Sequence, residues 1–140
     1  MKAIHLVAVV TTLTLLGCAG KLPLDLGVAN DQLTPCPKSP NCVSSDELGD
    51  KAIAPLPGLA SPEESLARWE QLIQQHFPKA QLITREASYL HFTFKTSIGW
   101  VDDVELYWRD QQVQVRSASR LGYSDLGKNR QRIESLRQLW

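Results

Sequence analysis

The sequence predicts a small α+β domain, in which a four-stranded antiparallel sheet is covered on one face by two helices in the order α-β-β-β-β-α. Three observations lead to this class. Apolar residues recur at helical spacing in two segments, residues 61–77 and 126–140. Four segments between them alternate apolar and polar residues as strands do. The length of 140 residues suits one domain and not two.

The first helix is predicted to begin at Ser61 and to end before Pro78. Ser61 can cap the helix, and Pro62 suits its first position because the proline nitrogen has no proton to leave unpaired. One apolar stripe follows at helical spacing, and we assign it to the core. The stripe consists of Leu66, Trp69, Ile73 and Phe77.

Four strands are predicted next, over residues 80–86, 89–96, 100–109 and 112–119. Alternation in the third strand directs one set of side chains to the helices and the other set outward. The inward set is Val104, Leu106 and Trp108, and the outward set is Asp103, Glu105, Tyr107 and Arg109.

The last two strands are predicted to form a hairpin with Asp110-Gln111 as its turn. This register places Arg109 opposite Gln112. It therefore places Glu105 opposite Arg116 and Asp102 opposite Ser119, because residues pair one by one along an antiparallel ladder.

The second helix is predicted from about Leu126 to Trp140, with Asp125 or Ser124 as its cap. Its core stripe would contain Leu126, Ile133, Leu136 and Trp140. Asn129 lies on the same stripe, so its amide should point inward. A buried amide needs hydrogen-bond partners.

Residues 1–17 are predicted to be a secretory signal peptide. Lys2 gives a positive start, and an apolar stretch of about 14 residues follows, whereas a bilayer span needs roughly 20. The stretch ends in Leu15-Leu16-Gly17-Cys18, which is typical of a bacterial lipobox. Cys18 is therefore expected to carry acyl chains that hold the protein on a membrane.

An ordinary signal peptide, cleaved near Ala19-Gly20, is the alternative to a lipobox. If Cys18 is lipidated, Ala19 after it favours the outer membrane, with the domain facing the periplasm. Residues 18–35 are then a proline-containing tether that lets the domain stand off the membrane, and residues 36–140 form the single domain.

Cys36 and Cys42 are expected to form a disulfide, because an exported chain folds in an oxidising compartment. A metal site, a redox site and free thiols are the alternatives. No histidine lies near the pair, and five residues separate the cysteines where a redox motif has two. No metal or cofactor is expected.

The formal net charge of zero argues against a nucleic-acid-binding protein, which would be strongly basic. No segment carries a glycine-rich phosphate loop or a serine–histidine–aspartate arrangement. Asp102 and Asp103 are neighbours on a strand, so they point to opposite faces and cannot share a proton.

The predicted register gathers polar residues at one end of the sheet. Three interpretations remain open for this cluster: a structural network, a binding cleft for an anionic group, or a catalytic site. Arg116, Arg120 and Arg130 are the candidate anion contacts. The candidate residues are Asp102, Asp103, Glu105, Arg116, Ser117, Ser119, Arg120, Tyr123, Ser124, Asp125, Asn129 and Arg130.

Three segments together resemble the bacterial and plant family known as domain of unknown function 1499. They are Cys36–Ser45, Trp100–Glu105 and Val115–Arg130, and the resemblance covers roughly residues 33–138. The third segment is the most specific. The family has no established activity to carry over. The resemblance does imply that the polar cluster, together with Cys36, Cys42, Gly122 and Gly127, is the hallmark of the family.

The expected function is that of a cell-envelope lipoprotein whose domain is a non-enzymatic binding module. Its partners would be the membrane, through the lipid, and an anionic small ligand or an envelope protein. One alternative is a hydrolase that uses Asp102 or Asp103, with Arg116 or Arg120 as an anion clamp. A purely structural envelope protein is the other.

Overall fold

A computed structural model describes residues 20–140. The predicted signal peptide, the lipidation of Cys18 and the role of Ala19 lie outside the described residues. The elements, in chain order, are β1 (Val28–Ala29), β2 (Gln32–Leu33), β3 (Cys42–Ser44), a 3-10 turn (Gly49–Lys51), β4 (Leu56–Pro57), α1 (Pro62–His76), β5 (Ala80–Arg85), β6 (Tyr89–Lys95), β7 (Val101–Arg109), β8 (Gln112–Ser119) and α2 (Lys128–Arg137).

The fold is α+β with two helices, as predicted, but the main sheet has six strands and not four. The strand order is β3-β8-β7-β6-β5, and β4 also pairs with β8. The prediction of four strands is wrong, because it lacks β3 and β4. These two strands contain only three and two residues. Both lie in a segment rich in turn formers, which has no alternating pattern to reveal them.

The hairpin of β7 and β8 has the predicted register: Arg109 pairs with Gln112, Glu105 with Arg116, and Asp102 with Ser119. Asp110 and Gln111 form the turn with positive φ angles of 53° and 62°. These angles match a two-residue turn of the mirror-image type, whose twist fits the twist of the two strands.

Both helices pack on the same face of the sheet. Ser61 caps α1, and its hydroxyl oxygen accepts a hydrogen bond from the backbone of Glu64 at 3.2 Å. Trp140 stacks on Trp69, with their ring centres 4.9 Å apart, and this contact joins the two helical segments. The shared core contains Leu66, Trp69, Ile73, Leu90, Phe92, Val104, Leu106, Val113, Val115, Ile133 and Leu136.

Helix α2 begins at Lys128 and not at Leu126. Leu126 has a φ of 54° and is 89% exposed, so its predicted place in the core stripe is wrong. The chain takes left-handed backbone conformations at Leu126 and Gly127 before it turns into the helix. The N-cap is Gly127, so the predicted cap at Asp125 or Ser124 is wrong, but the carboxylate of Asp125 still accepts from the backbone of Asn129 at 2.7 Å.

The second face of the sheet is covered by the N-terminal segment. The backbone nitrogen of Gly27 donates to Glu105 at 2.7 Å, and that of Leu33 donates to Asp46 at 2.9 Å. The outward residues Asp103 and Glu105 are consequently 1% and 0% exposed. Alternation therefore gives the correct face for these side chains, but that face is not open to solvent.

No helix in the region from residue 20 to the C-terminus combines the length and the apolar character that crossing a membrane requires.

Candidate functional site

Two polar clusters lie on opposite faces of the sheet. The division arises at Asp102 and Asp103, which are consecutive on β7 and therefore point to opposite sides. We call the helix-side group the Asn129 cluster: Asp102, Ser117, Ser119, Asn129 and Arg132. We call the group under the N-terminal segment the Glu105 cluster: Tyr89, His91, Asp103, Glu105, Arg116 and Arg120.

The amide of Asn129 is the centre of the first cluster and is fully buried. Its oxygen accepts from the hydroxyl of Ser117 at 2.6 Å and from Nη1 of Arg132 at 2.7 Å. Its nitrogen donates to the hydroxyl of Ser119 at 3.0 Å and to Asp125 at 2.8 Å. The inward orientation predicted for Asn129 is confirmed, and Ser117 and Ser119 are among its partners.

Arg132 was not among the candidate residues. Its Nη2 forms an ion pair with Asp102, in which both side chains are almost completely buried. The guanidinium also donates to Ser117 at 3.0 Å. Its spacing of three residues from Asn129 places it on the same side of α2, and that spacing was the available signal.

The Asn129 cluster also connects the sheet to the loop that contains the two domain cysteines. Asn129 donates to the carbonyl of Asn41 at 3.0 Å, and the amide of Asn41 donates to the carbonyl of Gly122 at 2.7 Å. The sulfur atoms of Cys36 and Cys42 are 2.00 Å apart, with Cα atoms 5.7 Å apart. This geometry is compatible with the expected disulfide.

The Glu105 cluster is built around a carboxylate with no solvent contact. Oε2 of Glu105 accepts from Nη1 of Arg116 at 2.9 Å. Oε1 accepts from the hydroxyl of Tyr89 at 2.9 Å and from the backbone of Gly27. Burial, followed by the charge of Glu105, raises the pKa of Tyr89 far above its ordinary value of 10.0. Tyr89 therefore acts here as a hydrogen-bond donor.

Arg120 and His91 both contact the carboxylate of Asp103. Arg120 donates to both of its oxygens at 2.8 Å, and Nε2 of His91 lies 2.7 Å from Oδ1. Burial by itself raises the pKa of Asp103, but the hydrogen bonds from Arg120 and His91 outweigh burial, and the net pKa is lowered from 3.8. The same bond to Asp103 raises the pKa of Arg120.

One polar atom of the Glu105 cluster has no partner. Among the described residues, Nε of Arg116 is the only buried side-chain nitrogen or oxygen atom without a hydrogen bond. Arg116 is 6% exposed. It lines a cavity of about 230 Å³. Around this cavity stand Asp103, Ser119, Arg120, Pro23, Pro35 and Pro37.

Four of the candidate residues lie outside both clusters, and one of these, Asp125, accepts from the side-chain amide of Asn129 at 2.8 Å. Tyr123 is 76% exposed, and Ser124 accepts from the backbone of Leu126 at 3.2 Å. Arg130 donates to the carbonyl of Asp50 at 2.7 Å. Arg130 lies on the side of α2 that faces the 3-10 turn, away from the strand carboxylates.

His91 stands on the polar face of its strand, and no sequence motif surrounds it. In the structure it is buried against Asp103, since the N-terminal segment covers that face. No group of three or more histidine, cysteine, aspartate or glutamate side chains within residues 20–140 could hold a metal ion.

Comparison with known proteins assigns the chain to one family. No curated protein matches the chain. No solved structure matches it either. The match to the family covers residues 32–139, which include β3 to β8, both helices and every member of the two polar clusters. The chain therefore belongs to the family described as "Protein of unknown function (DUF1499)".

Proposed function

We propose that this protein is a cell-envelope lipoprotein whose domain is a non-enzymatic binding module. It binds a small oxygen-bearing group in the cavity beside Arg116. This cavity is lined by Asp103, Arg116, Ser119 and Arg120 of the predicted Asp/Arg/Ser cluster. The observation that carries the proposal is the unpartnered Nε of Arg116, a buried donor atom on a residue that lines this cavity.

A buried N–H without an acceptor is unfavourable by about 1–3 kcal/mol, and more for a charged group. An acceptor oxygen from a ligand would remove that penalty, and a charge-assisted hydrogen bond is among the stronger kinds. A volume of about 230 Å³ lies below the range of about 300–1,000 Å³ that is usual for sites of whole drug-sized molecules. The site therefore suits one carboxylate, phosphate or amide group of a ligand.

The charges of the cluster favour binding over catalysis. Both oxygens of Asp103 are engaged by Arg120 or His91, and its pKa is lowered. A carboxylate in that state is a weak general base. Asp102 is paired with Arg132 on the other face. The hydrolase alternative would need one of these two carboxylates to be free.

A structural role is the competing proposal, and it has support of its own. Glu105, Asp103 and Asn129 have satisfied hydrogen bonds and bring distant parts of the chain together. The unpartnered Arg116 nitrogen distinguishes the two proposals, because a purely structural network gains nothing from leaving it unpaired.

The binding proposal can be tested on the purified lipoprotein by following the arginine Nε–Hε resonances by NMR. Acetate, N-acetylglycine and inorganic phosphate are titrated separately. We expect the Arg116 resonance to shift with at least one of them, and R116K to abolish saturable binding. R109K is the matched control, because Arg109 pairs with Asp46 on the same face but does not line the cavity. An unchanged Arg116 resonance with all three probes would favour the structural role.

The anchor is tested separately. Cells expressing the full chain should incorporate labelled palmitate into the protein, and the protein should fractionate with the outer membrane. C18S should lose both properties. Tight membrane association of C18S would contradict lipid anchoring.

A further inference from the structure

Two neighbouring loops at one end of the sheet expose large apolar side chains. The first joins β6 to β7 and carries Ile98, which is 71% exposed, and Trp100, which is 42% exposed. The second joins β8 to α2 and carries Tyr123 and Leu126, which are 76% and 89% exposed. We call these four side chains the apolar tip. A cleft of about 240 Å³ lies between the loops. Neither the fold nor the cavity beside Arg116 explains them.

The exposure of the apolar tip is fixed by the backbone. In the first loop, Trp100 exchanges hydrogen bonds with Thr96: the backbone of Thr96 donates to the Trp100 carbonyl at 2.8 Å, and the Thr96 hydroxyl accepts from the Trp100 backbone at 3.0 Å. In the second loop, Leu126 has a φ of 54°, an unfavourable conformation for a residue with a side chain. Left-handed backbone at an exposed leucine needs a reason beyond packing.

The described chain begins beside this same end of the sheet. Gly20 packs so closely on the second loop that a Cβ atom at this position would lie 2.9 Å from Cβ of Arg120 and 3.3 Å from Cγ of Leu121. Two residues of extended chain span at most about 7 Å. Only Ala19 separates Gly20 from Cys18 in the sequence.

We infer that the apolar tip is a membrane-docking surface, which seats the domain directly on the lipid bilayer that holds its anchor. This inference rests on the lipidation of Cys18 proposed above. If acyl chains on Cys18 enter the bilayer, the short connection to Gly20 brings the second loop to the level of the lipid headgroups. The tether then does not hold the domain away from the membrane.

The chemistry of the tip fits that environment. Tryptophan and tyrosine favour the membrane–water interface, because one part of each ring system is apolar and another can donate a hydrogen bond. Lysines stand beside the tip and can attract anionic headgroups. They are Lys21, Lys95 and Lys128, and all three are exposed.

Docking would also place the Arg116 cavity close to the membrane. Arg120 connects the two features, because it lines the cavity while its Cβ would lie 2.9 Å from a Cβ atom at position 20. The cavity would then open near the headgroups.

The test uses the full lipidated protein in vesicles of phosphatidylcholine and phosphatidylglycerol, with and without brominated acyl chains. Trp100 is the most exposed tryptophan among the described residues. Its emission is obtained as the difference between the wild type and W100F. We expect brominated lipid to quench Trp100 at least twofold and the vesicles to protect it from acrylamide. In I98S/L126S, quenching should fall by more than half.

L48S is the matched control, because Leu48 is 90% exposed but lies outside both loops. Brominated lipid should quench Trp100 in L48S as strongly as in the wild type. Flotation of the same samples reports on the anchor alone. A protein that floats with the vesicles while Trp100 remains unquenched overturns docking and leaves the anchor intact. A protein that is not acylated and does not float overturns the anchor, and this inference with it.

Discussion

Glu105 and Arg116 face each other across β7 and β8, and Nη1 of Arg116 donates to Oε2 of Glu105 at 2.9 Å in a site closed to solvent. The two side chains lie on the sheet face opposite the helices. Their burial depends on the N-terminal segment, whose Gly27 donates to the same carboxylate at 2.7 Å. The pair therefore joins the central hairpin to a segment that is distant in sequence.

Removing one member of this pair should be strongly destabilising. R116M leaves the buried carboxylate of Glu105 without its ion-pair partner, and breaking a buried ion pair in this way costs about 3–5 kcal/mol. E105Q/R116M should lose clearly less than R116M, since it leaves no uncompensated charge and keeps an oxygen for Gly27 and Tyr89. Urea denaturation of the two single variants and the double variant measures the coupling.

The control for this cycle is the exposed pair of Arg85 and Glu70. R85M should change the free energy of unfolding by about 1 kcal/mol or less, as is usual for surface ion pairs. Strictly additive losses in the Glu105/Arg116 cycle would contradict the coupling that the structure implies.

Asp103 should make the stability of the domain depend on acid pH. Its pKa in the folded protein is below 3.8, because the bonds from Arg120 and His91 outweigh the effect of burial. The unfolded chain therefore binds the proton more readily. The stabilising contribution is complete above pH 3.8 and is lost as the pH falls through the folded-state pKa.

D103N removes this titrating group. The variant should be less stable at neutral pH, and its free energy of unfolding should fall less steeply than that of the wild type between about pH 5 and pH 2. Denaturation at a series of pH values measures the slope. E134Q is a suitable control, because Glu134 is half-exposed and pairs with its neighbour Arg137 on α2. Identical slopes for D103N and the wild type would exclude this role of Asp103.

Asn129 should be essential for the packing of α2 on the sheet. N129L keeps the size of the side chain but removes its hydrogen bonds to Ser117, Arg132 and the carbonyl of Asn41. Each buried group left unsatisfied costs about 1–3 kcal/mol, so we expect a total loss above about 2 kcal/mol. Thermal and urea unfolding check this value. Q131L, at an exposed position of the same helix, should be nearly neutral, and equal losses in the two variants would be evidence against the role of Asn129.

Much of the central sheet can be predicted from sequence because its signals are local. Alternating residues define β6, β7 and β8, and the Asp110-Gln111 turn fixes the register that places Glu105 against Arg116. The same register indicates the cluster around Asp102 and Ser119. The inward position of Asn129 follows from the spacing of Ile133 and Leu136 on α2.

The features that were missed depend on contacts that are distant in sequence. His91 and Asp103 are buried only because an N-terminal segment without a regular pattern covers their face of the sheet. Strands β3 and β4 are recognisable only through their pairing with β8. Leu126 fits a helical stripe by spacing, but the left-handed backbone before α2 turns it into solvent.

The Cys36–Cys42 disulfide should contribute modestly to stability. A closed loop of about seven residues restricts the unfolded chain by about 2.4 kcal/mol, and Pro37 and Pro40 already restrict the same loop. C36A/C42A should therefore lose less than about 2.4 kcal/mol in urea denaturation. P40A, with the disulfide intact, is the control for the stiffness that Pro40 gives to the loop.

Thiol counting on the exported wild type should detect neither Cys36 nor Cys42 before reduction. Two reactive thiols in the untreated protein would contradict the disulfide, and a much larger loss in C36A/C42A would mean that the bridge also positions Asn41 beneath Asn129.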